Sequence, residues 1–320
     1  MRSEKEMKRI KLIFGSWITF LFLFASICFS ANSKVGTTAY SFLKIGVGAR
    51  AVALGGAFVG LADDESALFF NPAGISQLGQ KSFTLSYNNF LTDIQSGFLG
   101  YVHPYSEKST LGAYINYINY GSFTHTDPEG KNLGDFGAGD FSLGLAYAQT
   151  LSPIFNLGVS SKFIYGKLQD YSSDALAFDL GVLLKFKDSR TKMGFAARNL
   201  GFQLKGYTKA HKESLPMVME LGLSHHLRGL PLIFTFDSAK PLDNDFHFDF
   251  GGEFLGAKPL IIRLGWSSFG KNFKTNSSKD NLAGFSLGFG VLWKVYRLDY
   301  AYSSYADLGG VHRVSISGRI

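Results

Sequence analysis

The chain has 320 residues, enough for one large domain or two ordinary ones. Aromatic residues make up 15% and charged residues 18%, with 31 Phe and 37 Gly, where an average soluble domain carries roughly 25% charge; the mix suits strands whose outer faces meet lipid. The formal net charge is +7, yet Lys and Arg are scattered with no basic run, which argues against a nucleic-acid partner.

The first segment, MRSEKEMKRIK, sets Lys5, Lys8, Arg9 and Lys11 before an apolar run from Leu12 to Phe24. This is the order of a secretory signal, and small residues at Cys28, Ser30 and Ala31 predict cleavage near Ser30. A comfortable membrane helix needs about 20 apolar residues, so an uncleaved anchor is the weaker alternative. A lipoprotein reading of Cys28 is weaker still, because bulky Ile27 stands where a small residue is needed. Residues 1–30 carry five positive and two negative side chains, so the remaining chain falls from +7 to +4. It also loses the sole cysteine, leaving neither disulfide nor thiolate metal site.

Residues 31–80 form a second segment, small and Gly/Ala-rich from residue 36 on, for which a plug-like role is expected. Within it run Gly48 to Ala51 (GARA), Gly55 to Ala57 (GGA), Ala62 to Asp64 (ADD) and Asn71 to Ala73 (NPA). Asp63 or Asp64 can cap a short helix across Glu65 to Phe70, which Pro72 would end, since the residue before a proline avoids helical geometry. Arg50 has candidate partners in Asp63, Asp64, Asp179, Asp249 and Glu253. A structural ion pair and a latch or ligand contact are both open readings of it.

From residue 81 onward period-two alternation takes over. Phe141, Leu143, Leu145 and Tyr147 alternate with Asp140, Ser142, Gly144 and Ala146. Phe246, Phe248, Phe250 and Phe254 share a strand with His247, Asp249 and Glu253, and Phe285, Leu287, Phe289, Val291 and Trp293 alternate with Ser286, Gly288 and Lys294. Aromatics facing lipid and ionised groups facing a wet lumen satisfy both sets, the arrangement of an outer-membrane barrel. The runs predict strands at 82–90, 94–103, 109–120, 140–150, 155–168, 174–187, 191–200, 216–226, 231–238, 246–255, 259–268, 281–294, 295–305 and 312–320, about 14 in all. Links after even-numbered strands are expected to be tight. Those after odd-numbered strands, except the first, are expected to be longer and polar, including Gly121 to Gly139, Gly201 to Leu215 and Phe269 to Asp280. A soluble β-sandwich also alternates, but it would not need this Phe load opposite Gly and Ser.

The four short motifs, in that order ahead of such strands, resemble the N-terminal region of the PorV/PorQ family and, more distantly, FadL-type transporters. The resemblance implies an all-β fold, a transmembrane antiparallel outer-membrane barrel with a small N-terminal plug. In it Arg50, Gly55, Gly56, Asp63, Asp64, Asn71, Pro72 and Ala73 would form the plug motif. PorV-like proteins act with the type IX secretion system and bind the C-terminal signal domains of secreted cargo. The implied partners are therefore membrane lipid and cargo, with Phe123, His125, Phe136, Tyr207 and Phe273 on external loops as candidate contacts. FadL-type relatives imply a hydrophobic small-molecule ligand instead.

Nothing in the sequence nominates a catalytic centre or a cofactor. Gly284-Phe-Ser-Leu-Gly288 spells a nucleophile pattern, but Ser286 falls inside a predicted strand and not at a strand-to-helix elbow. GVGARAVALGG lacks phosphate-loop spacing. His225 and His226, adjacent on a strand, point to opposite faces and cannot easily share a metal.

Overall fold

In the computed structural model, the described residues are 36–91, 94–186, 188–208 and 211–320. The predicted signal at residues 1–30 lies outside them. Fourteen strands follow one another: β1 (Ser82–Asn89), β2 (Gln95–Pro104), β3 (Ser109–Thr126), β4 (Asn132–Ser152), β5 (Phe155–Leu168), β6 (Tyr171–Lys185) and β7 (Thr191–Lys205). The second half comprises β8 (Val218–His226), β9 (Leu232–Pro241), β10 (His247–Phe254), β11 (Leu260–Ser267), β12 (Phe285–Trp293), β13 (Tyr296–Ser304) and β14 (Gly310–Arg319). Each is antiparallel to its sequence neighbours, and β14 closes on β1 from Ser82 opposite Arg319 to Asn89 opposite His312. No helix among the described residues is long and apolar enough to cross a membrane; this chain crosses with strands.

The alternation fixes which way each side chain points. On β4, Phe141, Leu143, Leu145 and Tyr147 are exposed on the outer wall, while Asp140, Ser142 and Ala146 are buried inside. β10 repeats this with Phe248, Phe250 and Phe254 outward and Asp249 and Glu253 inward. A charge at the bilayer midplane on the outer face would cost about 2–4 kcal/mol, so the ionised groups of these strands turn to the lumen.

Closure removes the sheet edges along most of the wall; at one end β7 runs on past Arg198, where β8 stops, and β3 and β4 run on past both of their outer neighbours. β2 reaches only Asn119 on β3, and β5 reaches only Ala138 on β4. Above those points residues 122–126 and 132–136 pair with each other alone, past a bulge between Asn119 and Ser122. The expected Gly121–Gly139 loop is therefore a strand hairpin with a short turn at 127–131. The link after β5, expected to be longer, is a two-residue turn at 169–170. The longest links between strands are 206–217 and 268–284, the second carrying 3-10 helices at Ser268–Phe273 and Ser278–Leu282. They and the protruding hairpin share one end of the barrel, which marks it as the external end, since periplasmic turns are the short ones.

The segment from residue 36 to β1 fills the lumen. Thr38 pairs with Ser214 of the β7–β8 link at the external end. The chain then descends through a short helix at Ala49–Ala53 and a second at Ala67–Phe70 before emerging at the opposite end to start β1. Phe58, Leu61, Leu68, Phe69, Phe70 and Ile75 form its core together with lumenal Phe98, Tyr114 and Ile233.

Candidate functional site

Backbone must lie against backbone for a plug to fit inside a narrow barrel, and that dictates small residues on both sides. Gly55, at φ +71, lies on the Gly265 stretch of β11: a Cβ added to Gly265 would sit 2.0 Å from the Gly55 nitrogen. Gly60 meets Gly222 of β8 in the same way, with a Cβ on Gly60 falling 2.5 Å from the Gly222 carbonyl carbon. Gly56 faces the Asp249 carboxylate. These contacts give the lumen-facing strand glycines a physical reason.

Arg50 stands at the centre of the polar contacts between plug and wall. Its Nε and Nη2 donate to the two oxygens of Glu253 on β10, at 2.8 and 2.7 Å. Its Nη1 donates to Asp63 at 2.6 Å and Asp64 at 3.0 Å. Glu253 also accepts from Arg263 Nε of β11 at 2.6 Å, and Arg263 Nη1 reaches Asp299 of β13 at 2.8 Å. Arg297 then joins Asp299, at 2.6 Å, to Asp64, at 2.8 Å. The chain of pairs closes on itself, from Arg50 through Glu253, Arg263, Asp299, Arg297 and Asp64 back to Arg50. Cations and anions alternate, so each charge has oppositely charged neighbours on both sides, the condition under which buried ion pairs repay their desolvation. Lys192 of β7 adds a longer contact to Asp63 at 3.8 Å. Burial alone would raise the Asp64 carboxyl, but Arg297 and Arg50 outweigh it and hold it at about 2. Glu65 next to it is pushed up by burial and by the Asp64 charge.

Two more anchors hold the plug. The Asp237 carboxylate of β9 accepts the backbone N–H groups of Phe58 and Val59, both at 2.7 Å. Asn71 donates to the Val59 carbonyl at 3.0 Å and the Val182 carbonyl of β6 at 3.1 Å, while its own oxygen accepts from Ala73 N at 3.1 Å. Pro72 opens a 3-10 turn, Pro72–Gln77, and the helix before it stops at Phe70. Asp64 accepts from Ser66 N at 2.9 Å in a local turn, but it does not cap the helix as expected: the N-cap position is Ser66, with no side-chain cap hydrogen bond, and the helix covers only Ala67–Phe70.

The sequence named Arg50, Asp63, Asp64 and Glu253, and the structure brings them together. Asp179 and Asp249, also candidates for Arg50, lie elsewhere: Asp179 pairs with Lys162 at 2.9 Å, and Asp249 bonds Ser267 at 2.5 Å. Arg263, Arg297 and Asp299 were not singled out. Their signal was available, since each occupies an inward slot between apolar outward neighbours such as Ile262 and Leu264. Ser286 is buried at the second position of β12 and hydrogen-bonded to Ser303 at 3.1 Å, with strand and no helix after it. Among the described residues no group of three metal-ligating side chains occurs.

The external candidates separate into two sets. Phe123 and Phe136 stack at 5.6 Å on the protruding hairpin, with His125 edge-on to Phe136 at 6.2 Å. They sit on strands, not on a loop, because the alternation outruns the membrane and loses its apolar side. Tyr207 and Phe273 turn back toward the lumen instead. Tyr207 leans on Asp140 of β4, and burial together with that carboxylate raises its phenol. Phe273 packs on Tyr305 at 4.7 Å and on Phe269 at 5.7 Å, roofing a cavity of ≈190 Å³ between plug and external links.

A closed fourteen-stranded barrel with an apolar outer wall and a polar, plugged lumen is an outer-membrane β-barrel of FadL-like fold. Residues 29–228 match the family model described as Type IX secretion system protein PorV, and the chain belongs to that family. No curated protein matches the sequence. The Pseudomonas putida toluene transporter TodX is similar in structure at 13% identity and a TM-score of 0.58, over 85% of this chain and 97% of that one. A Pseudomonas aeruginosa FadL homologue is similar at 13% identity and a TM-score of 0.56, over 90% and 100%. At such identities these likenesses establish the shared fold alone.

Proposed function

We propose that this barrel is a non-enzymatic accessory of type IX protein secretion that holds the C-terminal signal domains of secreted cargo at its external end. The observation that carries the reading is the protruding hairpin, whose residues 122–126 and 132–136 are paired only to each other. Its free backbone edges offer main-chain hydrogen bonds to an extended segment of a partner, and Phe123, His125 and Phe136 supply side-chain contacts. The ion-paired plug favours a docking role over conduction, because passage through the lumen would have to open the Arg50 contacts.

A second reading, a channel for hydrophobic small molecules, draws support from the partly apolar cavity under Phe273 and from the toluene transporter that shares the fold. Gene deletion separates the two. Loss of cargo from the cell surface and medium with normal uptake of hydrophobic substrates supports the accessory role; intact export with lost uptake sinks it.

A further inference from the structure

The two ends of the barrel differ in charge. On the short turns of the periplasmic end stand Lys108, Arg190, Arg228, Lys258 and Lys294, joined by Lys81 just before β1 and Arg319 at the end of β14. Against these cations the same turns carry two carboxylates among the described residues, Glu107 and Asp188. At the external end carboxylates outnumber lysines: Asp127 and Glu129 flank the hairpin turn with Lys131, and the link between β9 and β10 has Asp243 and Asp245 with no lysine. The periplasmic cations are exposed, except for half-exposed Arg190, and none of them forms an ion pair among the described residues.

Large apolar side chains are interleaved with these cations. Leu227 and Leu230 flank Arg228, Trp293 and Val295 flank Lys294, and Ile320 follows Arg319. All five are exposed, Trp293 at 66% and Ile320 at 74%. The Lys294 ammonium lies over the Trp293 ring, 5.6 Å from its centroid, and that ring is 6.3 Å from Tyr296 on the neighbouring strand. A rim built only to meet an acidic soluble protein would need the cations but not the exposed Trp, Leu and Ile beside them. Cations paired with such residues, at the level where the apolar wall ends, are the composition of a surface set between acyl chains and headgroups.

We propose that the periplasmic rim is a binding surface for anionic phospholipids of the inner leaflet, their headgroups beside the turn cations and their acyl chains against Trp293, Tyr296 and Ile320. The cations are densest where β14 ends between β13 and β1. There the Arg319 N–H donates to the Val295 carbonyl at 3.2 Å and the Ile320 N–H to the Lys81 carbonyl at 2.8 Å, so Lys81, Lys294 and Arg319 border one another along the backbone. A basic side chain at an anionic membrane surface favours contact by about five-fold. The surface does not depend on the secretion role, and failure of the export experiment leaves it standing.

Tryptophan quenching tests it, because Trp293 reports the periplasmic end and Trp266, at the far end of β11, the external one. Protein isolated from outer membranes is placed in phosphatidylcholine bilayers containing brominated phosphatidylglycerol or, at the same mole fraction, brominated phosphatidylcholine. With Trp266→Phe, leaving Trp293 as reporter, the brominated anionic lipid should be enriched about five-fold over the zwitterionic one, and the excess should fall in molar salt. With Trp293→Phe, leaving Trp266, the two lipids should quench alike. Lys294→Gln combined with Arg319→Gln should at least halve the excess at Trp293, with folding of every variant checked by heat-modifiable migration. Glycerol phosphate at matched ionic strength should leave the excess in place, since the acyl chains also hold the lipid; displacement would assign the rim to free phosphate and overturn the lipid reading. Equal quenching by both lipids at Trp293, the same excess at Trp266, or an undiminished excess in the folded double variant also overturns it. Without any variant, phospholipid that stays with the unaltered protein through extraction should be richer in anionic headgroups than the membrane it left, and an equal composition counts against the proposal.

Discussion

Replacing Glu253 by Gln attacks the plug latch at its centre. The wild-type carboxylate accepts three charge-assisted hydrogen bonds, two from Arg50 and one from Arg263. A Gln amide has one oxygen to offer and turns an NH₂ group toward a guanidinium. Arg50 keeps Asp63 and Asp64, and Arg263 keeps Asp299, so neither cation is stranded. Breaking a buried pair from one side costs about 3–5 kcal/mol, and the surviving partners place this variant at the lower end, about 3 kcal/mol. At 1.4 kcal/mol per decade, plug opening becomes about a hundred-fold more frequent. Hydrogen exchange read by mass spectrometry on peptides spanning residues 47–64 should accelerate by that factor, while peptides from β4 and β5 should be unchanged. Exchange of the plug peptides within about three-fold of wild type would refute the idea that the ion ring holds the plug, since that is under 1 kcal/mol.

Other consequences follow from the same contacts. Asp64 is held at about 2 against an ordinary value of 3.8, so its contribution is fully present above pH 4 and is lost as pH falls through about 2. Heat stability of the plugged form should accordingly show no Asp64-dependent change between pH 5 and 8 and should fall below about pH 4, with Asp64→Asn making that acid limb shallower and Glu253, held by Arg50 and Arg263, supplying the rest. Glu65 is shifted the other way by burial and by Asp64, so Glu65→Gln should leave melting unchanged or raise it; a large fall would contradict the assignment. Gly265→Ala drives a Cβ to 2.0 Å from the Gly55 backbone and should cost about 3 kcal/mol or more, seen as lost heat-modifiable migration. Gly79→Ala, with open space around it, is the neutral control. Asn71→Asp sets a carboxylate against the Val59 and Val182 carbonyls and should destabilise more than Asn71→Ala in the same melting assay.

The wall was legible in the sequence because a strand has only two sides and lipid allows only one kind of residue on the outer one. Phe141, Leu143 and Leu145, or Phe248 and Phe250, announce their strands without a neighbour's help. Where the wall leaves the membrane that rule lapses. Residues 122–126 and 132–137 read as loop, since Thr124, His125 and Asp135 carry no apolar stripe, although their backbone pairs as a hairpin. The two-residue turn at 169–170 was hidden because alternation is too weak near Tyr171 and Ser172 to mark the start of β6. In the plug, Arg50 and its acidic neighbours could be named, but the path that carries them to Glu253 and Arg297 follows from glycine-to-backbone fits in three dimensions, which no periodicity records.

Photo-crosslinking in cells tests most directly what the external end holds. A photoreactive amino acid placed at Phe123 or Phe136 on the hairpin should trap secreted proteins through their C-terminal signal domains, while the same group at outward-facing Leu145 on the wall should trap none. Capture of no secreted protein at the hairpin, or equal capture at Leu145, would contradict the account.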